Sequence, residues 1–351
     1  MKIIKTILLS SVMLSANQAL IEKAKSLGLV AIPQDKKELD KIIDPKGVIT
    51  TQRVELGKQL FFDPRLSKSG LISCNWCHRL GLGGVDGIST AIGHKWTKNP
   101  HALNSPTVYN AVLAKRQFWD GRSLSLEDQA KGPIQAKPEM AISPETLKKR
   151  ILAIPDYVKE FKDAYGDDVK IDLDSIASTI AIFERTLVTP SRFDDFLNGD
   201  TSALNSEEQE GLNLFLDKGC VACHQGIALG GELRPFELAG KYKFRDVGDF
   251  LKKDMMVKVP TLRNVTLTAP YFHNGQIWKI EDAIEEMGRI QIGYHVNKNA
   301  TSAKDLNLKL MPISFKKGEI QKIVKFFKAL EGRMLKIEHP QLPKTKVNIL
   351  K

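Results

Sequence analysis

Cys74-Asn75-Trp76-Cys77-His78 recurs further along the chain as Cys220-Val221-Ala222-Cys223-His224, and the two copies contain all four cysteines of the sequence. A Cys-x-x-Cys-His run is the attachment signal of a c-type haem. Two thiols at this spacing lie on one face of a helical turn, where they can form thioethers with the two vinyl groups of one porphyrin. The histidine after the second thiol is then held below the iron as its proximal ligand. The two runs therefore predict two covalently attached haems.

Two other interpretations of the cysteine pairs are a zinc site and a pair of redox dithiols. A single zinc ion would require Cys74 and Cys77 to converge in space with Cys220 and Cys223, which lie far away in the sequence. Neither interpretation explains why a histidine follows the second cysteine in both runs. The pattern favours haem.

The composition is that of an ordinary soluble globular protein. The chain has 351 residues, of which 42% are hydrophobic and 26% are charged, and this length predicts about two domains. The formal net charge is +11, but the lysines are spread along the whole chain and do not form a block. We therefore expect no nucleic-acid partner, although a basic surface can steer the protein toward an acidic protein partner.

The first residues have the pattern of a secretory signal peptide. Lys2 and Lys5 form a basic start, residues 7–14 an apolar centre and residues 15–19 a small-residue end. The apolar run is shorter than the roughly 20 residues that span a membrane, and no later segment is long and apolar enough to do so. We predict removal of residues 1–19 and a periplasmic mature protein.

Helical patterns dominate the chain, and few stretches alternate with period two, so we predict a mostly α fold. Gly57-x-x-Leu60-Phe61-Phe62 before the first haem run is echoed by Gly211-x-x-Leu214-Phe215-Leu216 before the second. This echo indicates two cytochrome c-like domains related by duplication. The predicted division is a signal peptide over 1–19, a first haem domain over 20–189 that the tail 317–351 packs against, and a second haem domain over 190–316.

Helix boundaries follow from capping residues and apolar spacing. We expect helices over Val54–Phe62 after a Thr50 or Thr51 cap, Glu145–Ile154, Tyr157–Tyr165, Leu173–Leu187 after Asp172 or Asp174, a helix from Asn205 through Leu216, Glu281–Met287 and Lys317–Leu330.

The residue on the open side of each iron decides whether a haem stores electrons or does chemistry. In a small cytochrome domain a methionine ligand follows the haem run, which leaves Met255, Met256, Met287 and Met311 as candidates for the second haem. For the first haem, His94 ends a glycine-rich loop that follows His78. A histidine on a mobile loop can leave the iron.

At this point the residues match a known family. The chain resembles the bacterial di-haem cytochrome c peroxidases across nearly all of the sequence that follows the signal segment. The matching stretches are Ser73–His78, Gly83–Gly87, Ile92–Trp96, Asn104–Val108, Phe118–Arg122, Gln129–Pro133, Pro138–Met140 and Pro270–Gly275.

The resemblance implies different roles for the two haems. The first would be the low-potential, peroxide-reducing site, with His78 proximal and His94 distal in the oxidised resting state. The second would be the high-potential site that accepts electrons, with His224 proximal and Met287 distal. A thioether ligand raises the potential of a haem, so this ligand set fits the division of labour.

The resemblance also implies the catalytic residues. Glu139 would act as the acid and base that moves a proton between the two peroxide oxygens. Gln129 resembles the active-site glutamine of the family, and Phe118 resembles the aromatic residue beside the site. Trp119 matches the tryptophan between the haems, where an indole can shorten the electron path.

A calcium site and a propionate contact complete the resemblance. Asn104, Thr268 and Pro270 match a calcium site between the domains, the last two through backbone carbonyls, and oxygen ligands suit this cation. Trp278 resembles a residue near a propionate of the second haem. A homodimer is expected, although the stretch between Gly230 and Met256 is shorter than in the family and can alter the dimer contact.

We therefore expect a periplasmic peroxidase that reduces hydrogen peroxide to water with two electrons from a small c-type cytochrome or a cupredoxin. Reduction of the second haem would move the glycine-rich loop, take His94 off the first iron and close the loop of Glu139 over the site. One alternative is a non-catalytic di-haem electron carrier, in which His94 never leaves. Another is a relative that oxidises a partner protein, in which a tyrosine replaces the methionine and the distal histidine is absent. Met287 and His94 argue against that relative.

Overall fold

The structure is a computed structural model that describes residues 16–248, 256–295 and 309–345. Its helices are α1 over 16–26, α2 Lys36–Ile43, α3 Thr51–Phe62, α4 Cys74–Cys77, α5 Leu126–Gln135, α6 Pro144–Leu152, α7 Pro155–Tyr165, α8 Leu173–Arg185, α9 Arg192–Leu197, α10 Ser206–Asp217, α11 Ile280–Ile290 and α12 Glu319–Ala329. Strand β1 Leu233–Pro235 pairs antiparallel with β2 Met256–Lys258, and β3 Ile292–His295 pairs antiparallel with β4 Lys309–Pro312. The predicted mostly α fold is confirmed.

Side-chain caps set the starts of the helices around both haem runs. The Thr50 hydroxyl accepts from the backbone N–H of Arg53 at the start of α3, and Asp172 caps α8. Asn205 forms a capping box with Glu208 at the start of α10. These are the caps that the sequence predicts, because short polar side chains satisfy the free N–H groups of a first turn.

Two helix pairs form the frames of the two cores. Helix α3 packs on α8, where the rings of Phe61 and Phe183 lie 5.3 Å apart, and α10 packs on α12, where Phe215 and Phe326 lie 5.4 Å apart. A methyl group on Gly57 of α3 would overlap the carbonyl oxygen of Thr179, and one on Gly211 of α10 would overlap that of Lys322. The repeated glycine therefore lets each helix pair approach closely.

A second repeat, which the sequence analysis did not single out, joins the two halves. Pro106-Thr107-Val108-Tyr109-Asn110 corresponds to Pro260-Thr261-Leu262-Arg263-Asn264. Asn110 and Asn264 adopt left-handed backbone conformations, with φ of 61° and 60°, which asparagine tolerates better than most residues. Their side-chain amides both donate to the Thr189 hydroxyl, at 2.9 and 3.0 Å. The two halves thus meet at Thr189 in a nearly two-fold arrangement.

The same symmetry continues into the interface between the halves. Trp119 and His273 occupy equivalent positions, and their rings lie 6.4 Å apart. The backbone N–H of Asn104 donates to the His273 carbonyl at 2.8 Å, and that of Lys258 donates to the Trp119 carbonyl at the same distance. Asn104 and Lys258 are therefore also equivalent positions, one in each half.

Both ends of the described chain cross between the halves. Helix α1 lies in the core of α10 and α12, to which it contributes Ile21 and Ala24. Helix α12 belongs to that same core because its phenylalanines face α10. This differs from the prediction that the whole of 317–351 packs against the first haem domain. The tail after it packs against the first core through Ile337 and Leu342.

The signal peptide prediction lies mostly outside the described residues, of which only 16–19 overlap it, at the start of α1. Within the described ranges, none of the helices combines the length and the apolar character needed to cross a bilayer.

A buried ion pair ties α9 to the second half. Asp194 and Arg263 are both fully buried, and the carboxylate accepts two bonds of 2.9 Å from the guanidinium. It also accepts from the backbone N–H of Ile32 at 2.7 Å and of Ser191 at 2.8 Å. Although burial opposes ionisation, Arg263 and these donors hold the pKa of Asp194 below its ordinary value.

We expect Asp194→Asn to lower the free energy of unfolding by about 3–5 kcal/mol, because it leaves the Arg263 charge buried without a counterion. The stabilisation from Asp194 should be complete at neutral pH and should be lost as pH falls below the ordinary carboxyl value of 3.8 through the lower folded value. Denaturant unfolding of the haem-loaded protein measures both effects. Asp195→Asn is the control, since Asp195 pairs with the exposed Arg333 and should contribute about 1 kcal/mol or less. Equal losses in the two variants would contradict this account.

Candidate haem sites and the residues between them

The first haem run forms a helical turn that ends at His78, the predicted proximal ligand. Helix α4 places Cys74 and Cys77 one turn apart, and His78 follows as its C-terminal cap. The Nδ1 atom of His78 lies 2.9 Å from the carbonyl oxygen of Pro106. This contact makes Nδ1 the protonated nitrogen and leaves Nε2 as the atom that can bind a metal. Burial lowers the pKa of His78, so the neutral ligand form is favoured.

The second haem run has the same arrangement in a tighter turn. Cys220–Ala222 is a 3₁₀ helix, whereas Cys74–Cys77 is an α-helical turn. The Nδ1 atom of His224 lies 3.2 Å from the carbonyl oxygen of Leu229, and burial lowers its pKa to about 4. Both histidines are therefore oriented, neutral and able to ligate through Nε2.

The burial and the placement of the cysteines distinguish between haem attachment, a redox dithiol and a zinc site. Burial raises the pKa of the Cys77 thiol and of the Cys220 thiol to about 12. A redox dithiol needs a lowered pKa. In the described parts of the chain, no group of three or more His, Cys, Asp or Glu side chains is placed to hold one ion, so the cysteine pairs do not converge on zinc. Covalent haem attachment is the interpretation that fits.

A largely apolar cavity of about 210 Å³ adjoins the second run. Cys220, Cys223 and His224 lie on its wall together with Met287 of α11. Of the other methionines considered for this haem, Met256 and Met311 are 38% and 41% exposed and do not line it, and Met255 lies outside the described residues. The cavity therefore brings together two thiols, an imidazole and a thioether, which is the donor set of a His/Met-ligated haem c.

On the first haem run's side of the molecule, His94 is placed by an unusual loop. It begins a short 3₁₀ turn, in which Lys95 and Trp96 have φ of 55° and 58°. These left-handed conformations are strained for residues other than glycine. The Nδ1 atom of His94 is buried and has no hydrogen-bond partner in the described chain. Partial burial, with Lys95 and Lys68 nearby, lowers the pKa of His94 and keeps it neutral.

The loop of His94 packs backbone to backbone against the loop of Glu139. The His94 N–H donates to the Glu139 carbonyl oxygen at 2.7 Å. A methyl group on Gly93 would lie 2.6 Å from the Cα atom of Glu139 and would overlap the Pro138 carbonyl oxygen. Movement of one loop therefore requires the other loop to move or the contact between them to break.

Glu139 is partly buried, and its carboxyl group lies within the electrostatic influence of Arg122. Burial raises the pKa of Glu139, and the Arg122 charge opposes this shift. The guanidinium of Arg122 lies 3.5 Å above the ring of Phe118, whose tip contacts Gly132 of α5. Gln129 is half-buried on the same helix, but no hydrogen bond between described residues joins it to Glu139. The structure thus groups Glu139, Arg122 and Phe118, with Gln129 on the adjoining helix.

Trp119 contacts the segment that leads to Pro106 and lies on the wall of the second cavity. It is buried, lines the cavity of the second run, and donates from Nε1 to the Asn104 carbonyl oxygen at 2.9 Å. Two residues after Asn104, the Pro106 carbonyl contacts His78. Trp119 and the segment from Asn104 to Pro106 therefore connect the wall of the second cavity to His78.

The residues matched to a calcium site line this same cavity. Asn104, Thr268 and Pro270 all contribute to its wall. The Asn104 amide nitrogen donates to the Ile88 carbonyl at 2.7 Å, which leaves the amide oxygen as an acceptor. Trp278 is 57% exposed and lies just before α11.

Sequence reasoning missed the segment whose carbonyl oxygen orients His78. The Pro106 carbonyl fixes His78, and the equivalent Pro260 lines the cavity beside His224. The repeated Pro-Thr-x-x-Asn pattern was the available signal.

Two sequence family models match the chain. The model described as di-haem cytochrome c peroxidase matches residues 51–202, and the cytochrome c model matches residues 208–331. The chain is 43% identical to the cytochrome c551 peroxidase of Nitrosomonas europaea over 91% of this chain and 92% of that protein. It is 42% identical to the cytochrome c551 peroxidase of Pseudomonas aeruginosa over 84% of this chain and 83% of that protein.

A solved structure gives the same fold. It is that of a MauG-like protein associated with microbial copper homeostasis, which is 26% identical, has a TM-score of 0.66, and aligns with 81% of this chain and 91% of its own.

Proposed function

Since the chain belongs to the family of di-haem cytochrome c peroxidases, we propose that it reduces hydrogen peroxide at the first haem site with electrons received at the second. Each turnover consumes one peroxide, two electrons and two protons, and yields two waters. His78 would hold one haem, and His224 with Met287 would hold the other, and these groups would supply the electron-transfer chemistry when bound. The protein itself supplies the ligands, the proton transfer and the gate.

Glu139 is the proposed proton carrier. The shift that burial gives its pKa supports this role, because a raised pKa makes a carboxyl group hold a proton more readily than an exposed glutamate does. Arg122 lies close enough to lower that pKa, and Phe118 shields the guanidinium from one side. The carboxyl group would take a proton from one peroxide oxygen and return it to the other.

The gate is proposed to be the paired loops of His94 and Glu139. In the resting state His94 would occupy the first iron, and reduction of the second haem would release it. The observation that carries this proposal is the backbone contact between the loops, in which the His94 N–H donates to the Glu139 carbonyl at 2.7 Å. Because the loops share this contact, release of His94 and repositioning of Glu139 form one two-state change.

Stopped-flow peroxide turnover with a reduced small cytochrome c and calcium present tests the function and the gate together. We expect fast turnover only in enzyme that has first been reduced by one electron. Equal turnover of oxidised and reduced enzyme would retain the peroxidase and reject the gate. Absence of turnover in both states would favour the electron carrier.

Gly93→Ala should weaken the resting gate. The new methyl group overlaps the Pro138 carbonyl, and overpacking of this kind costs about 1–3 kcal/mol. The loops would then separate, and the high-spin fraction of the first haem in oxidised enzyme should rise about tenfold or more in electron paramagnetic resonance spectra. Gly81→Ala is the matched control, because nothing lies within 4 Å of its added methyl group. If both variants give the spectrum of the unaltered enzyme, the packed loops do not hold His94.

The remaining assignments are also proposals. Calcium would bind at Asn104, Thr268 and Pro270, where these residues share a wall of the cavity with Trp119. A periplasmic location, a homodimer and a small c-type cytochrome or cupredoxin donor follow from the family resemblance. The protein-oxidising alternative is disfavoured by Met287, because the thioether lines the second cavity where that type of enzyme has a tyrosine.

A further inference from the structure

Lys258 is a buried cation that the proposed function does not use. It ends strand β2, is 8% exposed and lines the cavity of the second haem run. No hydrogen bond or ion pair between described residues involves its ammonium group. Burial is the cause that lowers its pKa, to about 8, and no nearby carboxylate opposes that shift. An ammonium group buried without a counterion destabilises a fold.

The position of Lys258 directs it toward the haem space. Lys258 and Pro260 both line the cavity together with Cys220 and His224. Arg234 also lines this cavity, but it pairs with Glu232 at 2.8 Å. Among the described residues of this wall, Lys258 therefore carries a positive charge that no carboxylate neutralises.

We propose that Lys258 binds a propionate carboxylate of the haem attached at Cys220 and Cys223, and that its charge raises the reduction potential of that haem. A porphyrin with two propionates brings an anion into the cavity at the place where the protein offers an unpaired cation. A fixed positive charge beside the haem favours the ferrous state, which carries one positive charge less. This inference rests on the proposed second haem site.

The two-fold arrangement supports this role. Asn104, the equivalent of Lys258 in the other half, is a proposed ligand of calcium. Both halves would thus place a cation at the same point of the frame, one as a bound metal and one as a side chain.

Spectroelectrochemical titration of the holoenzyme tests the proposal. We expect Lys258→Met to shift the ferric-to-ferrous equilibrium of the second haem toward the ferric state by about tenfold or more. This corresponds to a reduction potential that is lower by about 59 mV for a one-electron couple. Lys258→Arg keeps the charge and should retain the potential of the unaltered enzyme. Lys279→Met removes an exposed charge near the start of α11 and should shift the potential much less. A pyridine haemochrome content of two haems per chain establishes that the site is loaded, independently of the potential.

Three results would overturn the proposal. One is a Lys258→Met potential equal to that of Lys279→Met, with both haems present. Another is a reduction potential of the unaltered enzyme that changes when inorganic phosphate is added. Such a change would show that Lys258 binds an anion from solution and not a propionate. If Lys258→Met does not accumulate with two haems, redox-induced infrared spectra of Lys258→Arg decide the matter. An unshifted propionate carboxylate band in that variant would contradict the contact.

Discussion

Replacement of Glu139 by glutamine is expected to lower kcat for hydrogen peroxide by about 10²–10⁴-fold, the usual contribution of a general acid and base. Glutamine keeps the size of the side chain and removes the group that can exchange a proton. Because the backbone carbonyl of residue 139 makes the contact with His94, the substitution should leave the resting loops in place. Steady-state turnover, together with optical spectra of the oxidised enzyme, measures the two effects separately.

The pH dependence of the unaltered enzyme provides a second test of Glu139. Burial raises the pKa of this carboxyl group, so the ionised form that accepts a proton is lost at a higher pH than for an exposed glutamate. We expect turnover to fall as pH decreases through that raised value, and we expect this limb to be absent from Glu139→Gln. Glu145→Gln, at the exposed start of α6, is the matched control and should retain full activity. Unchanged turnover in Glu139→Gln would favour the electron carrier.

Met287→His should produce the largest change in the second haem. A bis-imidazole haem has a lower potential than a His/Met haem, and axial ligands set potentials over a range of about 0.8 V. We expect the potential to fall by on the order of 100 mV or more, and the donor cytochrome should then no longer reduce this haem efficiently. Redox titration and the rate of electron uptake from the donor measure the two consequences.

Met311→His serves as the control for this substitution. Met311 is exposed on β4 and does not line the cavity of His224, so its replacement should leave the potential unchanged. A Met287→His enzyme with an unaltered potential would show that another residue ligates the second iron. Such a result would also remove the argument that separates this chain from its protein-oxidising relatives.

Local features of this protein were readable from the sequence. Caps such as Thr50 and Asn205 depend on neighbouring residues alone, and so do the helical turns that carry the cysteine pairs. The choice among four methionines for the second haem required the family resemblance, because spacing along the chain does not reveal which helix faces a cavity. Met287 lines the cavity because the packing of α11 in the fold turns this residue toward it. Such packing depends on residues that are distant in the sequence.

Contacts between distant segments were not readable in the same way. The approach of Gly93 to Glu139 depends on two irregular loops with left-handed residues, for which local patterns give little information. Helix α1 has the amphipathic pattern of any surface helix, and the pattern does not say that its apolar face lies on the second core. Lys258 looks like a surface residue in the sequence, and only the fold reveals its burial.

The near two-fold meeting of the halves at Thr189 suggests how one ancestral unit came to hold two chemistries. The frame elements, which are the helix pairs and the Pro-Thr-x-x-Asn segments, are alike in both halves. The segments between haem run and Pro-Thr segment differ, since His94 lies in the first and strands β1 and β2 lie in the second. Changes outside the shared frame, in these segments and at positions such as Met287 of α11, would let natural selection retune one haem while the other keeps its inherited properties.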